Sequence, residues 1–185
     1  MARLDGMIAL VTGATGGLGE SICRRLATEG ASVVATDQDA SACGALVESL
    51  DGTGRHLPLA LDVTSEDAWI EVVASVRSRY GRLDAVVNNA GIGSLRHVTE
   101  ENLETWDRVV AVDQTGVWLG MKHGGALVEE TGGSIVNISS ILGVGGGLGN
   151  SAAYAAAKGA VTNLTKNAAL HWADRGVRVN SVHPG

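Results

Sequence analysis

Short apolar runs recur six times along the chain, and each is followed by a longer stretch of helical periodicity. The runs are Met7–Val11, Ser32–Thr36, His56–Leu61, Asp84–Asn88, Ser134–Ile138 and Val177–Val182. Most are continuous Val/Ile/Leu/Ala stretches, the pattern of parallel strands covered on both faces. Strand alternating with helix predicts an α/β fold built on a doubly wound parallel sheet. Pro58 interrupts the third run, and proline is confined to sheet edges because it lacks a ladder N–H. A strand order of 3-2-1-4-5-6 puts that run at an edge. Thr64-Ser65-Glu66-Asp67 opens a helix whose Trp69, Val72, Val73, Val76 and Tyr80 form one stripe, with Gly81 placed for a left-handed cap. Gly143–Gly149 reads as a loop inside one domain spanning 1–185, with neither repeats nor a linker.

Composition narrows the function classes. Glycine is enriched, 26 in 185 residues, about twice the ordinary share of roughly 7%. The glycines have no three-residue period, which excludes collagen, and 45% apolar residues excludes a disordered chain. A net charge of −6 without a basic block gives no footprint for nucleic acid or an anionic membrane, so small-molecule chemistry is expected. No apolar run reaches the roughly 18 residues of a membrane span. The first residues lack the apolar core of a secretory signal, so a cytoplasmic location is expected. Cys23 and Cys43 fall on predicted helices without C-x-x-C spacing and read as buried, inert thiols.

The first strand runs into Thr12-Gly13-Ala14-Thr15-Gly16-Gly17-Leu18-Gly19 and then a helix. Glycines at such a turn let the backbone bend tightly and approach a pyrophosphate, while the helix N-terminus offers N–H donors to the anion. The spacing fits both T-G-x-x-x-G-x-G and T-G-x-x-G-x-x-G. Asp37 ends the second strand, near the spacing of roughly 20 residues at which a carboxylate meets an adenosine ribose. A carboxylate accepts from the ribose hydroxyls and repels a 2′-phosphate, and no basic residue occupies positions 14 to 18. NAD is therefore expected over NADP.

Tyr154-Ala155-Ala156-Ala157-Lys158 lies in a helical context, with phenol and ammonium at i and i+4 on one face. A free tyrosine has a pKa of about 10, and each unit of lowering requires about 1.4 kcal/mol of preferential phenolate stabilisation. A neighbouring Lys⁺ and an oxidised nicotinamide both act in that direction. Such a tyrosine serves as general base for alcohol oxidation and as acid for the reverse reaction.

Together with Asp62-Val63, Asn88-Asn89-Ala90-Gly91, Ile138-Ser139-Ser140 and Asn180-Ser181-Val182-His183-Pro184-Gly185, these motifs resemble, in order and over essentially the full length, the compact single-domain branch of the short-chain dehydrogenase/reductase family. The resemblance implies a Rossmann-like sheet and an NAD-dependent oxidoreductase interconverting a secondary alcohol and a ketone by hydride transfer. It implies Tyr154 as acid/base, Ser140 donating to the substrate oxygen, and Lys158 holding the nicotinamide ribose and tuning Tyr154. Gly13, Thr15, Gly16, Gly17, Leu18, Gly19 and Asp37 would bind the cofactor. Asp62 and Val63 would contact the adenine, Asn88, Ala90 and Gly91 would border the cofactor, and Pro184 and Gly185 would lie beside the nicotinamide. No metal is implied. A homo-oligomer, dimer or tetramer, packed through helices at about 100–123 and 151–174, is implied. The stretch from Ser139 to Gly185 is most similar to members acting on cyclic aliphatic, terpene or steroid alcohols.

Two departures stand out. The family's active-site Asn corresponds to Asp113 here, on the apolar stripe of Leu103, Trp106, Val110 and Val117, where a carboxylate needs a partner or a proton. Asp113 is expected to preserve a relay through Lys158 while altering its pH dependence. The sequence also stops after the sixth run, so the family's final helix and seventh strand are expected to be missing and the domain C-terminally incomplete. Two other readings follow: an NADPH-linked 3-oxoacyl-type keto-reductase, which Asp37 disfavours, and a truncated, inactive nucleotide-binding remnant.

Overall fold

A computed structural model of the chain describes residues 2–52 and 54–185. Its six strands are β1 (Ile8–Thr12), β2 (Ser32–Asp37), β3 (Leu57–Ala60), β4 (Ala85–Asn88), β5 (Ser134–Ile138) and β6 (Arg178–Val182). They pair in parallel in the order β3-β2-β1-β4-β5-β6. This is the doubly wound, Rossmann-like order expected from the alternation of runs, with Pro58 on the edge strand β3 opposite Ala35. β3 is shorter than the run His56–Leu61. His56 is outside the ladder because its ring Nδ1, in place of a backbone carbonyl, accepts the Val33 N–H at 3.1 Å.

Helices α1 (Gly17–Thr28) and α2 (Ala40–Glu48) cover one face, packing Cys23, Ala27 and Leu46 on Val11, Val33 and Ala35. The other face takes α3 (Glu66–Tyr80), a helical rod over residues 103–129, and α7 (Ala152–His171). Trp69, Val117 and Val161 from these elements enclose Leu10, Val86 and Ile135. Helix α3 starts and stops where its sequence predicts: the Ser65 hydroxyl accepts from Ala68 N, and Gly81 closes the helix at φ 74°.

The rod is not one regular helix. It runs through α4 (Leu103–Val110), a π-helical turn Ala111–Thr115, α5 (Gly116–Leu119), a second π-helical turn Gly120–Gly124 and α6 (Gly125–Glu129). Its glycines bring it against the sheet: a Cβ at Gly120 would lie 2.0 Å from Asn88 Oδ1, and one at Gly124 would lie 2.9 Å from Val86 Cγ2. Burial pushes the Cys23 thiol up to about 12 and the Cys43 thiol to about 11, which keeps both protonated. No helix among the described residues is long and apolar enough to cross a membrane.

Candidate active site

A cleft of about 940 Å³ opens along the carboxyl ends of the strands, where ligands bind in open α/β sheets. At its first end the chain leaves β1 through Gly13, whose φ of 61° suits glycine. A Cβ at Gly19 would lie 2.1 Å from the Gly13 carbonyl oxygen, so α1 starts in contact with the turn. At Gly17 a Cβ would meet nothing within 4 Å. Gly16 caps α1 without a side-chain hydrogen bond, leaving the amides of the first turn free for an anion.

The turn is tied to the loop after β4. Asn89 Nδ2 donates to the carbonyls of Thr12 and Gly13 at 2.9 and 3.0 Å, while Thr12 Oγ1 accepts from the amides of Asn89 and Ala90, both at 3.0 Å. At the end of β2, Asp37 Oδ2 accepts from Thr15 Oγ1 at 2.6 Å and from Thr15 N at 3.1 Å, and Oδ1 accepts from Gln38 N at 2.8 Å.

The far end of the cleft holds Ser140, Tyr154 and Lys158. Two hydrogen-bond patterns separate the adjacent serines. Ser139 Oγ donates to the Lys158 carbonyl at 3.0 Å and pairs with Thr162 Oγ1 at 2.8 Å, anchoring β5 under α7. Ser140 Oγ accepts from Leu142 N at 3.1 Å, which leaves its own proton to give. His183 holds this segment in place: Nδ1 lies 3.0 Å from the Ser140 carbonyl and Nε2 lies 2.9 Å from Ser181 Oγ.

Lys158 is 2% exposed. Its Nζ donates to the Ile138 carbonyl at 2.9 Å, pairs with Asp113 Oδ2 at 3.1 Å and lies 5.5 Å from the Tyr154 ring centroid. Burial pushes the Tyr154 phenol above the ordinary tyrosine value; the Ser140 hydroxyl opposes that shift and the Asp113 carboxylate adds to it.

Of the residues singled out from the sequence, Gly13, Thr15, Gly16, Gly17, Leu18, Gly19, Asp37, Val63, Ala90, Gly91, Ser140, Tyr154, Lys158, Pro184 and Gly185 line this one cleft. Three stand elsewhere. Asn88 points into the core, donating to Asn137 Oδ1 at 2.8 Å. Asp62 is exposed and held below its usual value by the amide and hydroxyl of Thr64, which it binds at 2.9 and 2.7 Å. Asp113 lies behind Gly91 and Lys158.

Asn89 and Gln38 line the cleft without having been singled out. Alternation along β4 was the available signal for Asn89: if Asn88 faces the core, the next residue faces the turn. The residues present fit a dinucleotide: open amides at a helix N-terminus, a carboxylate at the end of the neighbouring strand β2, and hydroxyls of Ser140 and Tyr154 at the other end of the cleft.

Comparisons with known proteins identify the family and the fold. The family described as short chain dehydrogenase matches residues 7–185. Trans-4-hydroxycyclohexanecarboxylate dehydrogenase of Sinomonas cyclohexanicum is 42% identical, over 99% of this chain and 73% of the relative. Cyclopentanol dehydrogenase of Comamonas sp. (strain NCIMB 9872) is 41% identical, over 100% of this chain and 74% of the relative. A 3-oxoacyl-[acyl-carrier-protein] reductase of Thermotoga maritima is 39% identical, over 99% of this chain and 75% of the relative. The crystal structure of a short chain dehydrogenase from Mycobacterium smegmatis superposes with a TM-score of 0.94 at 36% identity, covering 100% of this chain and 78% of the other.

Proposed function

The chain belongs to the short-chain dehydrogenase family, and from that membership we propose that it interconverts a secondary alcohol and a ketone with NAD, using Tyr154 as general acid/base. The observation that carries the reading is the meeting of Ser140, Tyr154 and Lys158 in the cleft that also holds Asp37 and the glycine turn.

Tyr154 takes the hydroxyl proton during oxidation and returns it during reduction. Ser140 donates to the substrate oxygen, its hydroxyl proton being free to turn into the cleft while its oxygen accepts from Leu142 N. Lys158 would hold the nicotinamide ribose. The bound nicotinamide would supply the hydride acceptor for oxidation and the donor for reduction. The turn amides and Asp37 would hold the other end of the dinucleotide, and the carboxylate would disfavour a 2′-phosphate.

Ile141 and Leu142 line the cleft, and Val144 and Leu148 follow at 69% and 90% exposure. This apolar border, with relatives named for cyclopentanol and a hydroxycyclohexanecarboxylate, supports a cyclic aliphatic alcohol as substrate. Exposed Leu103, Trp106 and Trp118 along the rod support pairing of copies of the chain through these helices.

The test is to incubate the chain with NAD or NADP and a panel of cyclic and linear secondary alcohols, following reduced nicotinamide by absorbance. Turnover is expected with NAD, at about tenfold or greater preference over NADP, a 1.4 kcal/mol discrimination. Nucleotide binding without turnover across the panel would favour the remnant reading, and an NADP preference would favour the keto-reductase reading.

A further inference from the structure

Asp113 is wholly buried in the π-helical turn Ala111–Thr115. Its Oδ1 accepts from Ile92 N at 2.7 Å, and its Oδ2 meets Lys158 Nζ at 3.1 Å. The pair is wedged beneath Gly91, where a Cβ would lie 2.8 Å from Asp113 Oδ2 and 3.3 Å from Lys158 Nζ. Single-turn π-bulges inside helices occur often at functional sites, and this one carries the carboxylate that meets Lys158.

The groups facing this pair come from three directions. Helix α7 brings Tyr154, whose hydroxyl in turn meets Ser140; the loop after β4 brings the Ile92 N–H and no titratable side chain; and the end of β5 brings the Ile138 carbonyl. On its own rod, the preceding charged residues Asp107 and Arg108 are exposed. A lysine favours a neighbouring phenolate through its net charge. With a buried carboxylate in contact, the positive charge that Tyr154 experiences is largely cancelled.

We propose that Asp113 is a positioning residue that neutralises Lys158 and so keeps Tyr154 in its protonated, proton-donating form in the free protein. The site then stands ready for ketone reduction at neutral pH, while alcohol oxidation rises on an alkaline limb. The upward displacement of the Tyr154 phenol, to which the Asp113 charge contributes after burial, agrees with this arrangement. Burial also pushes Asp113 itself upward, opposed by Lys158 and the Ile92 N–H.

The inference rests on Tyr154 as acid/base, and a direct readout separates the two. The chain has 2 tyrosines, so in a Tyr80→Phe background tyrosinate absorbance reports Tyr154 alone. With Asp113 intact, the phenol should titrate above the ordinary value of about 10. Asp113→Asn should lower its midpoint by about one pH unit. Asp113→Ser, which retains an acceptor near Ile92 N without the charge, should do the same if the Asn variant folds poorly. An unmoved midpoint in the folded variant, or a midpoint below 10 with Asp113 intact, overturns the proposal, because a merely structural Asp113 leaves the titration where it is. The alkaline limb of alcohol oxidation should move with the midpoint. A midpoint that moves while the limb stays would leave the Asp113 coupling standing and contradict Tyr154 as the base.

Discussion

Thr15 closes on Asp37: its hydroxyl donates to Oδ2 at 2.6 Å and its amide at 3.1 Å, so the glycine turn fixes the direction of the carboxylate at the end of β2. A carboxylate held this way presents a fixed negative charge to the adenosine end of a dinucleotide. Asp37→Ala should weaken NAD binding by about 1–3 kcal/mol, the cost of a lost charged hydrogen bond. It should also narrow or reverse the preference over NADP. Isothermal titration with both nucleotides checks this, and an unchanged ratio of the two affinities contradicts the assignment.

Ser139 and Ser140 should respond differently to truncation. Ser139→Ala removes a buried hydroxyl bound to the Lys158 carbonyl and Thr162, and should cost about 1–2 kcal/mol in urea denaturation. Ser140→Ala gives up the bond from Leu142 N and the contact of its part-exposed hydroxyl with Tyr154, so its stability should change little, while kcat should fall about a hundredfold or more. Parallel denaturation and rate measurements on the two variants distinguish them. Equal losses of kcat would contradict the separation.

Glu29 provides a pH signature away from the cleft. Arg3 donates to it at 2.9 and 3.1 Å and Arg25 at 2.6 Å, and these guanidinium groups, Arg3 foremost, pull its carboxyl from 4.5 to about 2. A depressed carboxylate contributes stability above its unfolded value and loses it as pH falls through the folded one. The stability advantage of the parent over Glu29→Gln should therefore be full above about pH 5 and shrink between pH 4.5 and about 2. Denaturation midpoints measured across that range check it.

The sheet was legible because most strands are continuous apolar runs and one edge strand carries Pro58. The α3 boundaries were legible because Ser65 carries a side-chain acceptor for the first turn and Gly81 takes the positive φ that ends the helix. The two π-helical turns were not, because one extra residue in a turn leaves the apolar stripe nearly unchanged. The division of labour between neighbours was also hidden. Asn88 and Asn89 are chemically identical, and only the pairing of β4 with β5 through Asn137 decides which one faces the core. The adjacent Ser139 and Ser140 pose the same problem, resolved by the packing of α7 beneath the first.

The most direct test of Tyr154 as the proton-transferring group is Tyr154→Phe, which keeps the ring over Lys158 and removes only the hydroxyl. Alcohol oxidation by the parent and the variant is compared at saturating NAD, with the NAD dissociation constant measured on the same preparations. The account predicts a fall in kcat of about 10²- to 10⁴-fold with the dissociation constant nearly unchanged. A variant that turns over at the parental rate would contradict it.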